Sequence, residues 1–118
     1  MGEIKVKDAS VLAELMVVPY KKNIITLVTW VDAKFGSTTI TSAFRLGNKG
    51  VHGRCRGIDL RIWDYADPQA VVDAVNEAWI YDPERPEMMC AILHDAGSGN
   101  HIHLQVHPNT VLRHCGAS

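Results

Sequence analysis

The chain reads as an α+β domain, a small antiparallel sheet with a C-terminal hairpin packed by two to three helices, and three stretches carry that expectation. Gly57 to Trp63 (GIDLRIW) alternates Ile58, Leu60 and Ile62 with Asp59, Arg61 and Trp63, the period-two pattern of a strand with one apolar face. Val71, Val72, Val75, Ala78 and Trp79 recur at three- and four-residue steps, the stripe of a helix that buries one side. Met88 to His94 and His101 to His107 are two apolar-rich runs joined by a glycine-containing link, Asp95 to Asn100, and pair naturally as a hairpin.

Taken in chain order, Val11 to Val18 is apolar enough for a short helix or a strand, and Pro19 with Lys21, Lys22 and Asn23 breaks it. Ile24 to Val31 (IITLVTWV) is dense in β-branched residues but leads to Gly36, and is read as a helix. Thr38 to Ser42 suits a strand, and Leu46 to Arg56, rich in Gly, Lys and Arg, an exposed loop. The helix after the alternating strand opens at Asp67-Pro68, because Asp67 can accept backbone N–H bonds and Pro68 has no N–H to lose in the first turn. It stops near Tyr81, before Asp82-Pro83, and the tail from Pro108 is expected to be loose. Trp30, Trp63 and Trp79 are expected in the core, with Trp63 the one candidate to line a cleft.

The chain has 118 residues, a net charge of −1 and 47% hydrophobic content, which together exclude disorder and low-complexity classes and predict one globular domain over 1–118. A near-neutral balance gives no basic excess for gripping nucleic acid or an anionic membrane, so neither is expected as a partner. Cys55, Cys90 and Cys115 are odd in number and widely spaced, which fits reduced thiols. The first residues show neither a secretory signal nor a spanning helix, and synthesis in the cytoplasm is expected.

Three of the six histidines lie between Asn100 and Pro108 in alternating register. On a strand, His101, His103 and His107 share one face with Gln105, while Ile102, Leu104 and Val106 point inward. A row of imidazoles is a candidate metal or catalytic surface; for the His-x-His pair alone, a solvated edge is about as good a reading. His52 in the glycine-rich loop and Asp59 on the alternating strand could converge with a hairpin histidine, and His and carboxylate donors of that kind suit a catalytic zinc with one open position.

The segments Ile40 to Arg45 (ITSAFR), Val51 to Leu60 (VHGRCRGIDL) and His101 to His103 (HIH) resemble the zinc D-Ala-D-Ala carboxypeptidase and phage endolysin peptidase family, within the wider group that includes lysostaphin-like peptidases and the hedgehog signalling domain. The resemblance spans about residues 24 to 107. It implies a hedgehog/D-Ala-D-Ala peptidase-like fold, Zn2+ held by His52, Asp59 and His103, Arg45 beside the substrate, and cleavage of peptide bonds in bacterial peptidoglycan. It also implies a phage connection, with action at the cell wall after release or from a virion, and leaves room for self-association.

Two departures accompany the match. Many relatives place Glu or Asp three residues before the last ligand as general base, and Asn100 stands there; His101 is then the candidate proton acceptor, with His94 and Asp95 in reserve. Gly50 replaces the serine that commonly precedes the first histidine by two positions. Cys55 is read as packing, because a fourth protein ligand would close the zinc to water, and His107 and His114 as surface residues. Beside the peptidase stands a non-catalytic, metal-binding phage structural or binding protein of the same fold. A DNA nickase built on His101-Ile102-His103 ranks well below both, because Tyr20, Tyr65 and Tyr81 all precede the motif.

Overall fold

The computed structural model describes residues 3–17, 22–43, 56–95 and 100–113. In chain order these form β1 (Glu3–Val6), α1 (Ala9–Val17), α2 (Lys22–Phe35), β2 (Ser37–Ser42), β3 (Gly57–Arg61), a 3-10 turn (Ile62–Asp64), α3 (Pro68–Ala78), β4 (Trp79–Ile80), β5 (Ala91–Asp95), β6 (Asn100–Gln105) and β7 (Val111–Leu112). The main sheet has the order β1-β2-β3-β6-β5, and β4 pairs with β7 in a second, two-stranded sheet. The α+β class with three helices is as expected. The main sheet is mixed, not purely antiparallel as expected: the pairs β2–β3, β3–β6 and β6–β5 are antiparallel, and β1 adds a parallel edge strand beside β2.

Local chemistry sets the helix ends. Asp8 accepts from the Val11 backbone N–H at 3.2 Å and from the Ser10 hydroxyl at 2.7 Å, which starts α1 and resolves its open assignment as helix. The Asp67 side chain accepts from the Ala70 N–H at 3.3 Å with Pro68 in the first turn of α3. Gly36 ends α2 at φ +103°, a left-handed conformation that lets β2 begin at the next residue and that a side chain would strain.

The alternation seen in the sequence places the core. Ile58 and Leu60 of β3 and Ile102 and Leu104 of β6 are fully buried, in one cluster with Ile24, Leu27 and Val31 of α2 and Val71 and Val75 of α3. Successive strand residues point to opposite faces, so Asp59, Arg61, His101, His103 and Gln105 share the face turned away from that cluster.

Several boundaries differ from expectation. The strand expected to reach Trp63 ends at Arg61, where the backbone winds into the 3-10 turn; Trp63 is 80% exposed instead of buried. The hairpin strands are Ala91–Asp95 and Asn100–Gln105, shorter and shifted from Met88–His94 and His101–His107. Trp79 leaves α3 and caps it as the first residue of β4. The tail from Pro108 is held through residue 113, since Thr110 is buried, its hydroxyl donates to the Tyr81 carbonyl at 2.6 Å, and β7 pairs with β4. His107 therefore lies beyond β6, not in its histidine row, with its ring 5.6 Å from that of Tyr81 and its Nδ1 3.7 Å from the Asp82 carboxylate.

Candidate metal centre

Antiparallel pairing of β3 with β6 brings the acidic and basic candidates together. Asp59 is the cross-strand partner of His103, and Arg61 that of His101; on the far side of β6, Ile92 and His94 of β5 face His103 and His101. Directly opposed strand residues have Cβ atoms about 5 Å apart, so side chains on one face must touch. Asp59 Oδ1 lies 2.9 Å from His103 Nδ1, and Asp59 Oδ2 lies 3.7 Å from His101 Nε2. The carboxylate, expected on an exposed face, has a side chain only 4% exposed, and the two imidazoles are mostly covered. A carboxylate at that depth is tolerated only among groups that compensate its charge.

The second ring nitrogen of His103 is held as well. His103 Nε2 stands 3.1 Å from Gln105 Oε1, and the Gln105 amide is oriented by its own Nε2–H, which donates to the Met89 carbonyl at 2.8 Å. With the oxygen of that amide turned toward the ring, His103 Nε2 carries a proton and donates it. Nδ1 then lies against the Asp59 carboxylate at 2.9 Å, so one carboxylate oxygen and one imidazole nitrogen stand side by side. A histidine whose distal N–H is fixed by an amide or carbonyl is the usual setting of a metal-bound imidazole. The donor set, one carboxylate oxygen and one imidazole nitrogen, also suits zinc.

Of the sequence candidates, Asp59, His101 and His103 are thus assembled on one face. His52 and Arg45, with Cys55, Gly50 and most of the Leu46–Arg56 loop, lie outside the described residues, as do His114 and Cys115. Among the described residues no three His, Cys, Asp or Glu side chains form a group able to hold a metal. The pair Asp59–His103 is two-thirds of the expected ligand set. His94 packs edge-on against His101, ring centroids 5.2 Å apart, at the margin of the same face.

In the sequence Gln105 is legible only as a resident of the histidine face, and its spacing of two from His103 is the available signal for its role. Cys90 takes no part: it is buried beneath the hairpin, and burial pushes its thiol up to about 12, so it stays protonated and poorly nucleophilic at neutral pH. A cavity of about 660 Å³ bordered by Asn23, Arg56, Trp79, Thr110 and Leu112 does not include Asp59 or His103 and has no carboxylate or imidazole among its described lining residues. No helix among the described residues is long and apolar enough to cross a membrane. Comparison with protein-family models, with curated proteins and with solved structures found no match to this chain.

Proposed function

We propose that this chain is a zinc-dependent peptidase that hydrolyses peptide bonds of bacterial peptidoglycan, in stem or cross-link peptides, and that it is of phage or prophage origin. The observation that carries the reading is the buried Asp59–His103 contact at 2.9 Å, with the distal nitrogen of His103 committed to Gln105. Asp59 and His103 would hold the metal together with His52. Zinc supplies, when bound, a Lewis acid that polarises the scissile carbonyl and makes water acidic enough to attack near neutral pH.

The remaining work falls to side chains. His101, whose Nε2 lies beside Asp59 Oδ2, is the group to accept the proton of the attacking water and to return it to the leaving amine. Arg45 would orient the substrate by a charge-assisted bond to a carboxylate or to the developing oxyanion.

Asn100 favours a second reading, a metal-binding structural or binding protein without turnover, because an amide cannot take a proton. Asn100 opens β6 opposite Asp95 and is exposed, three residues before His103. Elemental analysis of the purified chain and of His52→Ala, Asp59→Ala and His103→Ala, with digestion of purified peptidoglycan by the same samples, separates the readings. One zinc per chain, lost in all three variants together with release of cell-wall fragments, is the expected result. Zinc without digestion, unrelieved by Asn100→Glu, supports the non-catalytic protein, and metal content indifferent to all three substitutions overturns both.

A further inference from the structure

The face that carries Asp59, His101 and His103 continues one step along β3. Arg61 is paired across the strands with His101 and lies two residues from Asp59, so its side chain leaves the sheet on the same side. Its guanidinium carbon stands 4.8 Å from the centroid of the Trp63 ring, and Trp63, just past the end of β3, is 80% exposed. An indole has more apolar surface to gain from burial than any other side chain, so one held in water beside a candidate catalytic face calls for an occupant.

The guanidinium stack is what steadies it there. A guanidinium lying over an indole still has N–H groups to offer a carboxylate, and its fork can make two parallel bonds to one. Among the described residues no carboxylate stands within ion-pair distance of Arg61.

We propose that Arg61 and Trp63 form a substrate subsite beside the metal pair, in which the guanidinium edge takes a free carboxylate of the peptide and the open side of the indole covers the aliphatic chain next to it. The subsite rests on the peptidase reading only for the nature of the peptide. It selects anionic peptide strands, and its place beyond His101 sets it to one side of the bond to be cut. A peptide carboxylate suits this chain better than a polyphosphate, since the net charge is −1 and a lone stacked arginine offers no track for a charged backbone.

The test uses the zinc-loaded full chain and the pentapeptide L-Ala-γ-D-Glu-L-Lys-D-Ala-D-Ala, in its acid form and with its carboxylates amidated. Binding is followed within the first turnover by the anisotropy of a fluorophore on the peptide N-terminus. The acid form is expected to bind the wild type more tightly. Arg61→Gln should weaken the acid form about ten-fold more than the amidated form, which feels only the loss of the contact that steadies Trp63; a hydrogen bond to a charged group is worth about that much. Arg61→Lys should recover only part of that loss, because an ammonium cannot reproduce the bidentate, stacked geometry.

Trp63→Ala should weaken both forms alike, and zinc content should be the same in every variant. Three results overturn the subsite: a preference for the acid form that survives Arg61→Gln, equal weakening of both forms by Arg61→Gln, or no binding of either form to the wild type. Binding without hydrolysis would sink the peptidase reading and leave the subsite standing. Hydrolysis indifferent to Arg61→Gln would do the reverse.

Discussion

The two nitrogens of the His103 ring do different work, and the amide of Gln105 is what keeps them apart. Gln105 can present its oxygen to His103 Nε2 only because its nitrogen is engaged by the Met89 carbonyl, so three residues from one strand and a loop determine which side of one imidazole is basic. Replacing Gln105 by Leu removes the acceptor for His103 Nε2–H and lets the ring change tautomer and turn; on the proposed reading of Asp59 and His103 as zinc ligands, it should lower zinc affinity by about 10- to 100-fold, the range typical of lost outer-shell bonds. Competition against a chromogenic chelator measures this directly. An unchanged affinity would mean that the ring is held by packing alone. Gln105→Glu keeps an acceptor in place and should retain the metal. The histidine row was legible from alternation, but its chemistry was not, because a period of two says which residues share a face and nothing about which nitrogen carries the proton.

Asn76 does for the hairpin what no strand does. β5 is the edge of the main sheet, paired only with β6, and its outer backbone groups would be left without partners as it enters the core. Asn76, on α3, accepts from the N–H groups of Cys90 and Ala91 at 3.1 and 3.0 Å, and donates to the Ala91 carbonyl at 2.9 Å. Asn76→Ala strands these three groups at a buried edge and should cost at least about 3 kcal/mol, at about 1 to 3 kcal/mol for each unsatisfied buried group. Urea unfolding with an unchanged denaturant slope would register it, and a loss below 1 kcal/mol would mean that water reaches the edge. The same reasoning explains which elements could be read in advance. The strand at Gly57 and the helix at Pro68 carry both a period and a start signal, whereas β1 is four residues of mixed character, Glu3–Val6, whose strand identity comes from pairing with β2. Such long-range partners leave no local trace. Trp63 failed as a core residue for a related reason: the alternation extends into IW, but the backbone turns at Ile62 and rotates the indole out.

At the scale of the whole molecule, the radius of gyration of 13.5 Å is that of a compact globule, about 13 to 14 Å for a chain of this length, and its closure depends on a carboxylate outside the Asp59–His103 pair. Asp82, buried at the end of the β4 segment, accepts from the Glu84 N–H at 3.0 Å and lies 3.4 Å from Arg85 Nε. The Glu84 N–H above all, then the Asn109 side chain, Arg85 and His107, hold its carboxyl below the ordinary value of 3.8 against the opposing effect of burial. These contacts fasten the chain after β6: Asn109 and His107 belong to the turn whose Thr110 hydroxyl bonds the Tyr81 carbonyl, and Asn23 of α2 donates to the His107 carbonyl at 2.7 Å. A carboxyl whose folded value is depressed takes up its proton more readily in the unfolded chain. Its stabilisation is therefore complete above the unfolded value near 3.8 and is lost as pH falls through the lower folded value. Asp82→Asn should accordingly be less stable than wild type at pH 7 and pH 5, and the two unfolding free energies should converge as the pH is taken below 3. Urea titrations at those three values provide the measurement. A difference that stays constant down to the acid limit would assign the role of Asp82 to its shape and not to its charge, and would leave the anchoring of the C-terminal segment to the Thr110–Tyr81 bond and to the pairing of β7 with β4.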